Sequence, residues 1–357
     1  MAKVKVERFP DWTEAEMQKR IITWMKGRGW KPLPHQLAMW DAVAQGESGL
    51  LQMPTGAGKT YAAFFGVLPK LGANLNGLLM LYITPLRALT RDLEKSIRLP
   101  CEEMDLPLII ETRTGDTKAS VRAKQKKRLP HILLTTPESL ALLLSYPEAR
   151  DMFSTLKAVV VDEWHELMGS KRGTLLELNL ARLRSFNPTL QSWALSATIH
   201  NSMEAAQAIN GLSTQPRIIS GERNRKISIR TLLPDGEDNL PWAGHLGLRM
   251  LPKVLKEMNP KESSLLFTNT RSQAERWYEA ILLSKPEWQD IIAIHHGSIE
   301  LKERERVEHG VKTGTIRFVV CTASLDLGVD FPEVDKVYQI GSPKQIARLM
   351  QRAGRSA

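Results

Sequence analysis

Short apolar runs rich in Val, Ile and Leu recur along the chain. Gly49–Met53, Leu78–Ile83, Leu106–Glu111, His131–Thr135, Ala158–Asp162 and Ser192–Ser196 form a first series. Between most of them the apolar positions change to helical spacing, as in Thr60–Leu71, Leu86–Ile97, Glu138–Leu144 and Thr174–Leu183. Near-continuous apolar strands alternating with helices predict a parallel sheet covered on both faces. A second series, Leu265–Thr268, Ile291–His295, Thr315–Cys321 and Lys336–Ile340, is interrupted by helical patterns at Arg271–Leu283 and Glu300–Val311. Polar, turn-rich sequence from Ser213 to Glu237 divides the two series. The reading is a helical N-terminal extension over residues 1–32, with an amphipathic helix at Thr13–Gly27. A first α/β domain follows over 33–218, a linker over 219–244 and a second α/β domain over 245–357.

The segment LLQMPTGAGKTYAAF sets a strand, a glycine-rich turn and a helix in succession, the context a phosphate-binding loop requires. Thr55, Gly56, Ala57 and Gly58 form the turn, where glycine lets backbone amides approach phosphates at a helix start. Lys59 suits the β- and γ-phosphates and the Thr60 hydroxyl suits Mg2+. Met53 stands where the strict pattern has glycine, so the match is to its looser form.

About a hundred residues on, VVVDEWHEL ends an apolar strand in two adjacent carboxylates. Parallel strand ends gather at one edge of a sheet, where ligands bind. Asp162 is then expected to help hold Mg2+, and Glu163 to orient and polarise the attacking water. The metal's charge would relieve the repulsion between the two acids.

Composition narrows the partners. The 357 residues carry 49 Lys and Arg against 39 Asp and Glu, a formal charge of +10. That excess attracts polyanions and says nothing about fold. No apolar run approaches the ~18–20 residues of a membrane span, and the N-terminus lacks the apolar centre of a signal peptide. Cys101 and Cys321 make neither a disulfide framework nor a zinc site, and the adjacent His295 and His296 lack further ligands for a metal. An intracellular protein acting on nucleic acid is the simplest expectation. A basic run, KASVRAKQKKR (118–128), either tracks a phosphate backbone or forms a solvated helix face.

The motifs now on the page resemble those of superfamily 2 helicases. PTGAGKT, DEWHE and Ser196-Ala197-Thr198 stand in that order, followed by LLFTNTRSQAE (265–275), HHGS (295–298), CTASLDLGVD (321–330) and QRAGR (351–355). TPLRALTRDL, RTGDT, TTPESL, DEWHEL, PWAGHLGLR, FTNTRSQAERWYEAI and SLDLGVDF are similar to the Lhr family, and most similar to its ligase-associated DEXH-box branch. The resemblance implies two tandem RecA-like P-loop domains, each a mostly parallel sheet covered by helices. It implies an ATP- and Mg2+-dependent DNA helicase or translocase of the bacterial cytoplasm and nucleoid, moving 3′ to 5′ on single-stranded or partly duplex DNA in repair. A DNA ligase and a nuclease are the implied partners. An RNA or RNA–DNA hybrid helicase of the same fold, or a truncated core that binds without unwinding, remain rival readings.

Residue roles carried by the resemblance are as follows. Gln36 matches the adenine-reading position, and His165, Ser196 and Thr198 match residues coupling hydrolysis to the second domain. Gly328 and Asp330 match the loop touching the ribose. Arg352 and Arg355 match the arginines facing the γ-phosphate, with Gln351 bonding phosphate or water nearby. Strand contacts would come from Thr84, Pro85, Leu86, Arg87, Gly115, Thr136, Pro137 and Glu138, and from Thr270, Arg271, Gly297, Ser298 and Thr322. The family continues past this last motif with a winged-helix domain, so the sequence reads as part of a longer protein with a truncated second domain.

Overall fold

In the computed structural model the described residues are 12–356, except 55, 73–74, 198, 200, 213, 222–226, 234–245, 326–333 and 344–345. The chain divides into two compact units, Met1–Arg223 and Asn224–Ala357. The first unit contains β1 (Gly49–Gln52), β2 (Met80–Ile83), β3 (Ile110–Arg113), β4 (Ile132–Thr135), β5 (Ala158–Val161), β6 (Gln191–Ser196) and β7 (Arg217–Ser220). They form one sheet in the order β3-β4-β2-β5-β6-β1-β7, all pairs parallel.

Side chains alternate across each strand, which is why near-continuous apolar runs are needed. Leu51, Met80, Tyr82, Val160 and Trp193 face a core shared with helices Pro34–Ala44 and Lys59–Leu71. Leu50, Leu81, Ile83, Val159 and Val161 face the opposite core, with Leu140, Leu176, Leu180 and Ile209 from helices Pro137–Leu144, Lys171–Phe186 and Ser202–Asn210.

The expected N-terminal helix runs Glu14–Gly27, with Thr13 and Glu16 closing a capping box at its start. It is integral to the first unit. Met17, Ile21, Trp24 and Met25 are buried in the first core, and the Trp24 ring meets Phe65 edge-on at 5.5 Å.

β7 was not expected as a strand. It pairs with β1 and carries the first unit to Ser220, inside the zone assigned to linker. Its RIIS sequence offers only two apolar positions at a sheet edge, a weak signal next to the polar turns around it.

The second unit holds β8 (Ser264–Phe267), β9 (Ile292–His295), β10 (Phe318–Cys321) and β11 (Lys336–Gln339), parallel in the order β11-β8-β10-β9. Helix Arg271–Ser284 covers one face through Ala274, Trp277 and Ile281. Helix Leu301–Thr313 covers the other through Val307 and Val311.

Gly49 opens β1 where the chain passes close to β7. A Cβ there would lie 1.9 Å from the Arg217 carbonyl oxygen, which is backbone and cannot swing away. Gly49→Ala should therefore destabilise the chain by about 2–3 kcal/mol, the scale of a strained overpacking. Urea unfolding of the two proteins measures the difference.

Candidate nucleotide and nucleic-acid sites

All strands of the first sheet are parallel, so every loop leaving a C-terminal strand end opens on one edge. β5, β6 and β1 lie together, and there the acid pair, Ser196 and the glycine-rich loop emerge. β3, β4 and β2 form the other half, ending in Gly115, Thr136 and Thr84. Strand order thus separates the turns expected to hold nucleotide from those expected to contact a nucleic-acid strand.

After β1 the chain turns through Gly56 at φ +76° and Gly58 at φ +73°, conformations that a Cβ strongly disfavours. Gly58 then caps helix Lys59–Leu71. Lys59 is 7% exposed, and its ammonium donates to the carbonyls of Met53 (3.0 Å) and Pro54 (3.2 Å). Those bonds hold the loop in a ring around the lysine. Gln36, also buried, accepts the Leu33 amide proton at Oε1 (2.9 Å) and donates from Nε2 to the Gly58 carbonyl (3.1 Å). A carboxamide has two donors and two lone pairs, so capacity for a purine edge remains.

Asp162 and Glu163 follow β5. Glu163 sits at φ +46°, ψ +46°, a left-handed conformation that few non-glycine residues adopt. Such strain costs of order 1–3 kcal/mol and persists where surroundings fix it. Here the Glu163 amide donates to Asp162 Oδ1 (2.9 Å), and Trp164 next to it is fully buried with its indole on the Ala205 carbonyl (3.0 Å). Glu163 itself is 8% exposed, and its Oε2 is buried without a hydrogen-bond partner. Asp162 keeps some solvent access, yet burial of its carboxyl and the Glu163 charge push its pKa from 3.8 up to about 7. Lys59 opposes the shift.

Burial holds His165 below its ordinary pKa, so it is neutral at pH 7. Its Nδ1 accepts from the Ala197 amide (3.3 Å), lies 3.2 Å from Ser196 Oγ and is 3.5 Å from Glu163 Oε2. The histidine thus joins the ends of β5 and β6.

A buried orphan carboxylate oxygen, an acid with a raised pKa and a lysine-stapled loop fit a polyphosphate with its cation. Among the described residues no cluster of three or more His, Cys, Asp or Glu could bind a metal by itself. Asp162 and Thr60 would supply one carboxylate and one hydroxyl, the sparse set Mg2+ takes when phosphates and waters complete its shell.

On the half formed by β3, β4 and β2, the Thr84 side chain is fully buried, its hydroxyl bonded to the Leu86 carbonyl (3.1 Å) and Thr90 Oγ1 (2.8 Å). Thr136 is likewise inside, 3.3 Å from Ser139 Oγ, and Pro137 starts the next helix. Leu86, Gly115 and Glu138 are exposed, with Glu138 paired to Arg172. Helix Arg87–Glu103 begins at Arg87. The buried hydroxyls of Thr84 and Thr136 therefore shape these turns from within, while Leu86, Gly115 and Glu138 lie outward.

In the second unit Thr270 caps helix Arg271–Ser284, accepting from the Gln273 amide at 3.2 Å, and exposed Arg271 bonds Ser298 Oγ. Gly297, Ser298 and Thr322 leave the neighbouring strand ends β9 and β10. Arg352 is only 2% exposed. Its guanidinium lies 4.5 Å from the Phe267 ring centroid and donates to Gln339 Oε1 (2.5 Å). Gln351 and Arg355 are buried as well. Thr55, Thr198, Gly328 and Asp330 lie outside the described residues.

Two nearby residues escaped the sequence reading. His35 Nε2 lies 2.7 Å from the Ala57 carbonyl, bracing the phosphate loop from the helix that carries Gln36. Tyr82 is fully buried, and burial, then Asp162, raise its phenol pKa well above the ordinary value. Thr60 approaches that hydroxyl without closing a well-formed hydrogen bond. Adjacency to Gln36 could have flagged His35; nothing local could have flagged Tyr82, which looks like one more apolar strand position.

Residues 33–206 match the family model for DEAD/DEAH box helicases, and residues 247–357 match that for the helicase conserved C-terminal domain. The chain is 35% identical to the ATP-dependent helicase Lhr-Core protein 2 of Thermococcus barophilus, over 94% of this chain and 41% of that protein. The chain belongs to the Lhr-type DEAD/DEAH box helicases. It is also 30% identical to the Lhr helicase/uracil glycosylase of Escherichia coli, over 91% of this chain and 25% of that one. Among solved structures, helicase Lhr of Mycobacterium smegmatis, bound to ssDNA and AMP-PNP, superposes with a TM-score of 0.76 at 31% identity, covering 95% of this chain and 45% of that one. The DUF1998 helicase MrfA, bound to DNA and AMPPNP, gives 0.78 at 27%, covering 99% and 50%. The chain thus spans less than half the length of the curated Lhr relatives named here. ATP dependence is shared across the Lhr-Core relatives.

Two expectations follow for this Lhr-type core. Glu163→Gly should relieve the left-handed strain and stabilise the fold by about 1 kcal/mol in urea unfolding, while lowering ATP turnover by at least about 100-fold, the contribution of a positioned base. For Asp162, the folded state holds a proton that the unfolded state has lost between pH 3.8 and about 7. Stability without nucleotide should fall as pH rises through that window. Asp162→Asn should flatten this dependence when thermal midpoints are compared across it.

Proposed function

We propose that this chain is the motor core of an ATP-dependent DNA helicase or translocase. The observation that carries the reading is Glu163: strained, buried and with an unbonded oxygen, in the same pocket of charge as Lys59 and Asp162. A carboxylate so placed is suited to orient a water and accept its proton. Thr55, Gly56, Ala57 and Gly58 present amides to the phosphates, and Lys59 neutralises their charge as the γ-phosphoryl group departs. Thr60 and Asp162 hold Mg2+, which supplies Lewis acidity at the phosphate oxygens. Gln36 reads the adenine edge, with Gly328 and Asp330 at the ribose.

In the working cycle Arg352 and Arg355, with Gln351, meet the γ-phosphate and stabilise the charge that develops there. Burial of Arg352 against Phe267 and Gln339 makes its guanidinium rigid, which suits a preorganised electrostatic role. His165, Ser196 and Thr198 pass the state of the nucleotide site to the second unit. The strand is gripped by Thr84, Pro85, Leu86, Arg87, Gly115, Thr136, Pro137 and Glu138 on one unit. Thr270, Arg271, Gly297, Ser298 and Thr322 grip it on the other, through backbone phosphates rather than bases.

DNA as the substrate draws support from the DNA-bound Lhr and MrfA structures. Motif detail shared with the ligase-associated branch supports bacterial DNA repair in the cytoplasm, 3′ to 5′ movement, and a DNA ligase and nuclease as partners. The relatives include archaeal proteins, so it is this motif detail and not overall identity that carries the assignment.

ATP turnover by this chain should rise with single-stranded DNA more than with RNA or an RNA–DNA hybrid. Lys59→Ala should lower it about 100-fold or more. Normal turnover in that variant sinks the site assignment; stronger stimulation by RNA sinks the choice of substrate.

A further inference from the structure

The basic run after the Gly115 turn folds as helix Ala119–Lys127, packed beside the sheet-edge strand β3. This helix has no apolar stripe. The residue it buries is Gln125, whose amide donates to Glu111 (3.0 Å) and the Thr112 carbonyl (3.2 Å) and whose oxygen faces Arg113 (3.4 Å). Arg113 in turn bonds the Tyr146 hydroxyl (3.2 Å), and Lys126 lies 4.8 Å from the centre of that ring. Polar anchors, not a hydrophobic face, hold this helix in place.

Outward, Lys118, Arg122, Lys124, Lys126, Lys127 and Arg128 are all exposed. Within the helix Arg122 and Lys126 are four residues apart, so like charges sit over one another on successive turns, a destabilising arrangement in a lone helix, and Lys118 and Arg128 add charge at its two ends. Glu111 offsets part of this through Lys124 (3.1 Å). An open polar depression lined by Thr90, Arg91, Thr112, Thr114, Asp116 and Thr117 lies between the first turns of helix Arg87–Glu103 and the residues that lead into this helix. The Gly115 turn of the proposed contact edge thus leads, within three residues, into a cationic rod.

We infer that helix Ala119–Lys127 is a second nucleic-acid contact, which takes the sugar-phosphate backbone as it passes beyond the Gly115 turn. The inference rests on the functional reading above and extends its strand path outward past β3. A nine-residue helix is about 14 Å long, the span of about four phosphates along one duplex strand. A polyanion on this face relieves the repulsion between stacked cations, and it carries no sequence code.

The test compares the wild-type chain, the triple variant Lys118→Gln, Lys127→Gln, Arg128→Gln, and a control triple Lys19→Gln, Lys26→Gln, Lys302→Gln with the same change in net charge. Binding of a single-stranded oligonucleotide and of a tailed duplex is followed by fluorescence anisotropy over a range of salt. Thermal midpoints and ATP turnover without nucleic acid should match wild type in both variants. The helix variant should lose about 2–3 from the slope of log affinity against log salt, since each phosphate contact contributes about 0.7 on single strands and about 0.9 on duplex. The control should lose little. A larger loss on the tailed duplex assigns duplex to the helix, and an equal loss assigns the single strand. A helix variant with the wild-type slope, or a control that falls as far, overturns the inference alone. A wild-type chain that neither binds nor responds to nucleic acid overturns the functional reading and the inference with it.

Discussion

Two adjacent carboxylates at the end of a buried strand repel each other, and much of the first unit is arranged so that they stay there. Holding Asp162 and Glu163 together requires a left-handed backbone at Glu163 and a carboxyl at Asp162 whose pKa is pushed to about 7. Both are unfavourable alone. They persist because β5 is enclosed between β2 and β6, because Trp164 is locked by the Ala205 carbonyl, and because Lys59 brings an opposite charge. A site kept unfavourable in this way is suited to a cation and a polyphosphate, which relieve what the protein leaves unrelieved.

The parallel sheet explains how so many polar turns converge. Each crossover returns the chain to the same end, so the C-terminal loops must share one edge. Their order then assigns neighbours. The acid pair, the serine of β6 and the phosphate loop follow adjacent strands, and His165 bridges two of them through Ser196 and Ala197. The turns carrying Thr84, Gly115 and Thr136 follow β2, β3 and β4 on the other side of β5. Residues far apart in sequence become a working group because of strand order.

Buried polar side chains shape this edge more than exposed ones do. Thr84 and Thr136 use their hydroxyls to close their own turns, while Gln36 and His35 bond the carbonyls of Gly58 and Ala57. An unpaired polar group inside would cost about 1–3 kcal/mol, so these bonds fix loop shape firmly. With these hydroxyls turned inward, the loops are held from beneath and their outer surface is left to other groups, Leu86 and Glu138 among them.

The sequence alone determined the two α/β units, the strands that are apolar throughout, the phosphate loop and the acid pair. Each of these is written locally, in periodicity or in adjacent residues, and the helicase motifs add their order. Tertiary structure decided the rest. β7 is a strand because β1 offers an unpaired edge, and not because RIIS insists on it. Tyr82 reaches the site because strand alternation points it under the loop, while Arg352 is buried because Phe267, some eighty residues away, supplies a ring beneath it. The basic run leaves a phosphate-tracking and a solvated face equally open in sequence, and only β3 and Gln125 fix which side of the helix is held inward. Burial, strain and pairing depend on residues distant in the chain, and no local window contains them.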